Sequence, residues 1–346
     1  MVRTFASDNN APVAPEIFQA LAQANEGDAV SYGYDSYTER AVDRFREIFG
    51  KSTATYFAFN GTGANVVALS CLVKPWEAVI TPASAHLQTD ECGAFERFTG
   101  CKVLPVGARD GKLHIDDLRP FAGKEPDEHH VVPRVISISQ STEFGTLYTP
   151  DELRELCEFA HAEGWRVHLD GARICNAAAA LGMGLRECTR DVGIDVLTFG
   201  GTKNGLMFGE AILFFDEALA PGAALFARKQ GMQLASKMRF IAAQFLALLE
   251  DERWRRYASH ANEMAKRLEA RVRAVRGVHI TRPVECNAIF ATLDRAVIPQ
   301  LQQEYFFYVF DDALPEVRWM THHATRAEDV DAFAELITRG VAAPAG

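Results

Sequence analysis

The sequence predicts an α/β fold with a mostly parallel central sheet, followed by a smaller C-terminal α+β domain. Two observations favour this class: short apolar runs alternate with helical patterns along most of the chain, and after Gly277 the pattern changes to short strands and one helix. The chain of 346 residues is also longer than a single core usually supports. We therefore expect an N-terminal arm and a large domain over residues 1–240, and a small domain over residues 241–346.

Predicted strands and helices alternate along the sequence of the large domain. Apolar runs predict strands over residues 54–59, 78–80, 135–139, 166–169, 196–199 and 210–215. Helical spacing predicts helices over residues 64–72, over about residues 150–163 and shortly after Gly171. Sheets of this kind bind ligands beyond the carboxyl ends of their strands, so the polar residues that follow these strands are the candidate site residues.

The sequence pattern of the C-terminal part predicts a different arrangement. A long helical pattern begins near Met238 and continues toward Val275, and we expect this helix to join the two domains. Strands are then predicted over residues 278–281, 288–293 and 317–321, with a final helix over about residues 326–339.

Composition excludes several classes of protein. No apolar run approaches the ~18 residues of a membrane helix. The first residues contain no apolar h-region with a small-residue cleavage site, so we do not expect secretion. A net charge of −10, from 36 basic and 46 acidic residues, disfavours a nucleic-acid partner. Seven scattered cysteines without a CxxC pair indicate reduced thiols and no metal site. We expect a cytoplasmic protein that acts on a small molecule.

Three residues after two of the predicted strands suggest a particular cofactor. Lys203 follows one apolar run in a glycine-rich turn, and Asp170 and Arg173 follow another. An amine for a Schiff base, an acid for a pyridinium nitrogen and a cation near a phenolate are what pyridoxal phosphate (PLP) requires. Alone, Lys203 is as readily a solvated turn lysine and Asp170 a helix N-cap. Their combination predicts a PLP enzyme.

The turn over residues 59–65 is the candidate phosphate site. It lies between a predicted strand and helix, so Gly61 and Thr62 can present backbone amides and a hydroxyl at a helix N-terminus. The motif lacks the Lys-Ser/Thr of a P-loop and the spacing of GxGxxG, and when it is considered alone a tight turn with an Asn cap explains it better.

Three further side chains near predicted strand ends are candidates with ordinary alternatives. His86 could lie flat over a pyridine ring or be a loop histidine without a ligand. Glu91 could orient a group of the site or cap the next helix. His168 shares a strand face with Asp170, where we expect a buried histidine with satisfied hydrogen bonds.

The motifs together resemble the low-specificity L-threonine aldolases, PLP-dependent enzymes with the aspartate-aminotransferase-like fold type I. The resemblance extends from about Phe5 to Arg318, nearly the whole chain, and its motifs occupy residues 60–65, 86–94, 140–145, 168–173, 199–205 and 237–239. It implies a PLP-dependent transferase-like fold and a homodimer or homotetramer whose sites are shared between subunits.

The resemblance also implies roles around the cofactor. Lys203 would form the Schiff base, Asp170 would hold the pyridinium nitrogen, Arg173 would lie beside the phenolate oxygen and the substrate, and His86 would stack on the ring. Gly61 and Thr62 would hold the phosphate.

Other roles implied by the resemblance concern the substrate and the neighbouring subunit. Arg318 and Ser7 would bind the substrate carboxylate, and His129 would lie near the β-hydroxyl group. Tyr32 and Arg239 match positions that a neighbouring subunit supplies across an interface. Tyr32 would bind the substrate from there.

The activity implied is retro-aldol cleavage of L-threonine, L-allo-threonine and related β-hydroxy-α-amino acids to glycine and an aldehyde. The base at the β-hydroxyl stays open among His86, His129 and a water molecule. Two other functions stay open: an aminotransferase or β-eliminating lyase of the same fold, and a phosphate- or nucleotide-binding module without PLP.

Overall fold

The computed structural model describes residues 3–107, 109–219, 222–311 and 313–342. The helices are α1 (Pro15–Ala24), α2 (Ser36–Phe49), α3 (Gly61–Ser70), α4 (His86–Thr89), α5 (Ala94–Thr99), α6 (Ile115–Leu118), α7 (Pro150–Ala162), α8 (Ile174–Leu181), α9 (Ala223–Gln230), α10 (Arg239–Leu249), α11 (Arg253–Val272), α12 (Ile298–Glu304) and α13 (Ala327–Ala342). The strands are β1 (Arg3–Thr4), β2 (Ala54–Ala58), β3 (Glu77–Pro82), β4 (Lys102–Val106), β5 (Val132–Ser139), β6 (Arg166–Gly171), β7 (Val196–Gly200), β8 (Glu210–Phe214), β9 (His279–Ile280), β10 (Ala288–Thr292), β11 (Tyr305–Phe306), β12 (Tyr308–Asp311) and β13 (Glu316–Met320).

The predicted α/β fold with a mostly parallel central sheet is confirmed. Within the described ranges the large sheet has seven strands in the order β2-β8-β7-β6-β5-β3-β4. Strands β7, β6, β5, β3 and β4 pair in parallel, whereas β8 is antiparallel to both of its neighbours. Every residue of β7 and β8 is buried, as expected of strands covered on both faces.

Local sequence explains where the helices that flank the site begin. Asn60 caps α3 by accepting the Gly63 amide at 2.8 Å, and Asp35 caps α2 by accepting the Thr38 amide at the same distance. At α7, Thr149 and Glu152 form a reciprocal capping box.

The C-terminal part carries a smaller antiparallel sheet in the order β12-β13-β10-β9. Its core packs around Trp319 and Phe333. The N-terminal arm joins this core, because β1 pairs with β11 and the Phe5 ring stacks on Phe333 at 4.6 Å. The arm therefore runs from the small domain to the edge of the large one.

The domain division at residue 240 stays a prediction, and the packing favours a later point. Helix α10 packs against α1 and α2, and Leu248 and Trp254 belong to the core of the large sheet. Met264 and Leu268, later in α11, belong to the core of the small domain. We infer that the change from one core to the other falls within α11.

The prediction of one long helix from about Met238 toward Val275 is wrong. Helices α10 and α11 are separated at residues 250–252, where Asp251 and Glu252 both have φ of +48°. No Gly or Pro marks this break, so the periodicity of the sequence predicted a continuous helix through it. In the part of the chain that the structure describes, no helix is both long and apolar enough to cross a membrane.

Candidate active site

The carboxyl ends of β5, β6 and β7 meet at one edge of the large sheet. Ser139 lies opposite Asp170, and Asp170 opposite Thr198, so the turn after β7 places Lys203 beside the end of β6. A cleft with an empty volume of about 410 Å³ opens there. It is lined by Gly61, Asn65, His86, Glu91, Ser139, Ser141, Glu143, Asp170, Ala172, Arg173 and Lys203.

Asp170 is held as a carboxylate. Its Oδ1 accepts the Ala172 amide and its Oδ2 accepts the Asn65 side-chain amide, both at 2.9 Å. Burial alone would raise the pKa of Asp170, but these hydrogen bonds and the nearby Lys203 charge lower it below its usual value. An ionised acid at this position can pair with a protonated ring nitrogen.

Lys203 lies in a short 3₁₀ turn, residues 202–204, that Gly201 and Gly205 flank. Gly205 has a φ of +95°, a conformation that side chains disfavour. Burial lowers the pKa of Lys203, and the Arg173 charge lowers it further against the opposing carboxylates of Asp8 and Asp170. The amine is therefore more easily deprotonated than an exposed lysine, which suits a nucleophile.

His86 belongs to a hydrogen-bonded chain that ends at Asp170. Its Nδ1 lies 2.9 Å from Glu91 Oε1, and the same oxygen accepts the Asn65 amide at 2.9 Å. Glu91 is 3% exposed, so this carboxyl fixes the imidazole from the protein interior. The hydrogen bond to Glu91 raises the pKa of His86, against the effect of burial.

Arg173 and Asp8 form a bidentate ion pair that ties the N-terminal arm to the large domain. Arg173 donates from Nε to Asp8 Oδ2 at 2.7 Å and from Nη2 to Oδ1 at 2.9 Å. Asn287, from the small domain, also donates to Asp8 at 3.2 Å. Although burial opposes it, the Arg173 charge lowers the pKa of Asp8 to about 2. This pair fixes Arg173 at the mouth of the cleft.

Arg318 reaches the same region from β13. Its Nη2 donates to the Ala6 carbonyl at 3.4 Å, and its Nε is buried with no partner among the described residues. Burial and the Arg173 charge lower the pKa of Arg318, which places two cations close together. Ser7 is adjacent to Asp8 and accepts the Asn9 amide at 3.2 Å. Two nearby guanidinium groups favour an anionic ligand.

The N-terminus of α3 offers an anion site. Asn60 takes the Gly63 amide, and within the described ranges no acceptor pairs with the amides of Gly61 and Thr62. A Cβ on Gly63 would come within 2.1 Å of the Gln233 side chain, which accepts the Phe59 amide at 2.9 Å. The turn is therefore packed tightly, with backbone amides directed past the helix end.

Comparisons with known proteins agree with this geometry. The sequence model of the beta-eliminating lyase family matches residues 4–296. A low-specificity L-threonine aldolase from Pseudomonas sp. (strain NCIMB 10558) is 45% identical over 88% of this chain and 89% of its own. The chain belongs to the beta-eliminating lyase family.

Further relatives of this lyase extend the comparison. A low-specificity L-threonine aldolase from Saccharomyces cerevisiae is 27% identical over 84% of this chain and 74% of its own. The structure of a Leishmania major threonine aldolase superimposes with a TM-score of 0.92 at 32% identity, covering 98% of this chain and 100% of that one. The resemblance to the low-specificity L-threonine aldolases is confirmed, and so is the fold that it implied.

The structure does not bring His129 to the cleft of the lyase within one chain. His129 precedes β5, with a side chain that is 78% exposed, whereas Ser139 at the other end of the strand lines the cleft. An eight-residue strand is roughly 25 Å long, so the two ends cannot serve one substrate. Within one chain His129 therefore lies away from the cleft, and its position near a β-hydroxyl group stays a prediction.

Tyr32 and Arg239 also lie away from the lyase cleft of their own chain. Tyr32 is 44% exposed, with Lys229 Nζ 5.4 Å from its ring centroid, and Arg239 donates to the Gly27 carbonyl at 2.9 Å. Both positions are compatible with the predicted role across a subunit interface, which stays a prediction.

Several polar groups at the site of the lyase were not predicted as site residues. Asn65 lies in a recognised motif, but its link between Asp170 and Glu91 spans three separate segments. Asp8 and Glu143 are also new, and both act through contacts that sequence spacing does not reveal. His168 is buried between Ser137 and Thr198 as predicted, and burial lowers its pKa to about 4.

Proposed function

We propose that this lyase binds PLP in the cleft and cleaves L-threonine, L-allo-threonine and related β-hydroxy-α-amino acids to glycine and an aldehyde. The observation that carries the proposal is that Asp170, held ionised by its hydrogen bonds, and the buried Lys203 amine line the same cleft at one sheet edge. Relatives named threonine aldolases support the reaction type.

The chemistry of the cleft fits PLP. Lys203 supplies an amine that burial favours in its neutral form, and Asp170 supplies a fixed anion for a cationic ring nitrogen. The amides of Gly61 and Thr62 at the start of α3 suit a phosphate. His86, held by Glu91, supplies a flat ring on the wall of the same cleft. When bound, PLP would supply an electron sink for a bond broken at Cα of the substrate.

Each cofactor-binding residue then has a defined task. Asp170 keeps the ring nitrogen protonated, because both of its oxygens are oriented by amide donors. Lys203 would hold the cofactor through its amine, and the same amine could return a proton at Cα of the substrate. Arg173, restrained by Asp8, places a positive charge near the phenolate oxygen without having to reorient.

Arg318 orients the amino acid. A guanidinium that binds a carboxylate through two hydrogen bonds fixes the rotation of the substrate about its Cα–N bond. That rotation decides which bond at Cα stands perpendicular to the ring and breaks. Ser7 lies next to Asp8 on the N-terminal arm, and we propose that it also binds the substrate carboxylate.

We also propose that the protein acts as a homodimer or homotetramer in the cytoplasm. Phe59 and Met207 are exposed at the edge of a groove whose lining is largely apolar, and Tyr34 and Met232 are more than four-fifths exposed. Apolar exposure on this scale is typical of subunit interfaces. Tyr32 and Arg239 would then complete the site of a neighbouring subunit.

Product analysis tests the proposed reaction. Purified protein supplied with PLP and L-threonine should release glycine and acetaldehyde in equal amounts. Release of a keto acid with ammonia would favour β-elimination, and a keto acid formed only with an added amino acceptor would favour an aminotransferase. A protein that binds nucleotide and remains colourless with PLP would favour the phosphate-binding alternative.

A further inference from the structure

Glu143 is a buried carboxyl on the wall of the cleft for which the proposed cofactor chemistry has no use. It lies in the turn after β5 and lines the same cleft as Asp170 and Lys203. It contacts neither of the residues proposed to hold the ring nitrogen or the phosphate. Its position nevertheless places an acid within the space where the substrate must lie.

The two oxygens of Glu143 have different surroundings. Oε1 accepts the Ser139 hydroxyl at 2.6 Å and the His86 backbone amide at 3.0 Å. Oε2 is shielded from solvent and has no hydrogen-bond partner among the described residues. Since two donors already occupy Oε1, an exchangeable proton on this carboxyl would reside on Oε2.

The turn that carries Glu143 is restrained from the small domain. The Arg282 guanidinium lies 4.1 Å from the centroid of the Phe144 ring, and Cys286 Sγ donates to the Gly145 carbonyl at 3.3 Å. Arg282 is itself paired with the buried Glu316 at 3.1 Å. The carboxyl is therefore fixed in position before a substrate binds, as a catalytic group requires.

The electrostatic surroundings of Glu143 suit proton exchange. Burial raises the pKa of Glu143, against the hydrogen bonds from Ser139 and His86, and the Asp170 charge raises it further. A carboxyl whose pKa moves toward neutrality is a better general base than an exposed glutamate. His86 is less suited to this task, because Glu91 already occupies its Nδ1 at 2.9 Å.

We propose that Glu143 is the catalytic base at the substrate β-hydroxyl group. Oε2 accepts the hydroxyl proton as the O–H bond breaks and the carbonyl of the aldehyde forms. The electron pair of the breaking Cα–Cβ bond stays on Cα, where PLP accepts it and a proton is added later to give glycine. This inference rests on the proposed aldol cleavage and assigns one of its steps.

Glu91 provides a matched control within the same cleft. Both carboxyls contact His86, and each has a buried Oε2 without a partner among the described residues. Glu91 contacts the imidazole Nδ1 and Asn65, whereas Glu143 contacts the backbone amide of His86 and the Ser139 hydroxyl. Loss of the Glu91 charge should disturb the cofactor side of the cleft. Loss of the Glu143 charge should affect only substrates that carry a β-hydroxyl.

The test compares Glu143→Gln and Glu91→Gln holoenzymes with L-threonine and with glycine, which has no β-hydroxyl. We expect Glu143→Gln to lower kcat/KM for threonine cleavage by roughly 10²- to 10⁴-fold. PLP retention and the glycine dissociation constant, measured from the absorbance of the bound cofactor, should stay within about twofold of wild type. Glu91→Gln should weaken PLP retention and glycine binding as well. Glu143→Asp keeps a carboxyl but shortens the side chain by one methylene. Its kcat/KM for threonine cleavage should therefore lie between those of wild type and Glu143→Gln.

Two results would overturn the inference. Threonine cleavage by Glu143→Gln within about threefold of wild type would show that the base lies elsewhere. Equal losses of threonine cleavage and glycine binding would show that Glu143 only supports the cleft. A wild-type holoenzyme that binds PLP and glycine but forms no aldehyde from threonine would instead refute the proposed function, and this step with it.

Discussion

The groups proposed to meet the cofactor and those proposed to meet the substrate differ in how they are paired. On the cofactor wall, defined by Asp170, Asn65, Glu91, His86 and Lys203, both oxygens of Asp170, the acid proposed to meet the ring nitrogen, have partners at 2.9 Å, whereas the supporting atoms Asn65 Oδ1 and Glu91 Oε2 are buried without partners among the described residues. We call the two groups proposed to meet the substrate, Arg318 and Glu143, the substrate wall, and each has a buried atom, Arg318 Nε and Glu143 Oε2, without a partner among the described residues. Unpaired buried polar atoms are costly, so they persist where a ligand can pair with them.

The difference suggests that the fold prearranges the cofactor site and leaves the substrate site to be completed by the substrate. Groups on the cofactor wall need a fixed charge state before PLP binds, and hydrogen bonds supply it. Groups on the substrate wall need free donors and acceptors, which must not be satisfied within the protein. Substitutions on the two walls should therefore have different kinetic consequences.

The largest effect is expected on the cofactor wall. Asp170→Asn should lower kcat by on the order of a hundredfold or more, because a neutral amide cannot stabilise a protonated ring nitrogen. PLP should still bind, since the phosphate site and Lys203 are unchanged. Glycine release from threonine measures kcat, and cofactor absorbance measures binding. An Asn variant with the parental kcat would show that Asp170 has only a structural role.

A smaller effect with a different signature is expected on the substrate wall. Arg318→Lys should raise KM for threonine by roughly 10- to 100-fold, because a lysine cannot make the paired hydrogen bonds of a guanidinium. Turnover should fall less, and PLP affinity should not change. Unaltered kinetics would mean that the carboxylate binds elsewhere, and lost PLP affinity would remove the distinction between the two walls.

The smallest effect concerns the support beneath the Lys203 turn. Glu210 on β8 accepts the Gly201 amide at 2.6 Å, and burial raises its pKa from 4.5 to about 7. A raised pKa contributes stability that is full below the unfolded value and is lost as pH rises through about 7. Glu210→Gln does not ionise, so its stability relative to wild type should increase between pH values of about 5 and 8, by on the order of 2–3 kcal/mol.

Urea denaturation at the two pH values measures this change. The quantity to compare is the difference in the free energy of unfolding between variant and wild type at each pH, because this difference cancels the contributions of other titrating groups. A difference that is the same at both pH values would show that folding does not raise the pKa of Glu210.

Much of the cofactor wall was predictable from the sequence, because it follows from local patterns. Lys203 and Asp170 each follow an apolar strand, and the carboxyl ends of parallel strands meet at one edge. The turn at Gly61 was recognisable from its position between a strand and a helix. The resemblance to a known family placed Arg318, which its own surroundings in the sequence would not single out.

The remaining parts of the site depend on contacts between distant segments. Asp8 and Arg173 are 165 residues apart in the sequence, and no periodicity predicts a contact between them. Glu143 was part of a recognised motif, yet the unpaired state of Oε2 follows only from packing against Ser139 and His86. The role of His129 was implied by the family resemblance, and the direction of β5 places His129 at the end of the strand opposite the cleft.

Borohydride reduction of the holoenzyme followed by peptide mapping tests the central claim most directly. We predict that the reduced cofactor is attached to Lys203 alone, and that Lys203→Ala binds PLP without a reducible link and releases no glycine from threonine. Attachment at another lysine, or threonine cleavage at the parental rate by Lys203→Ala, would contradict the assignment of this cleft as the PLP site.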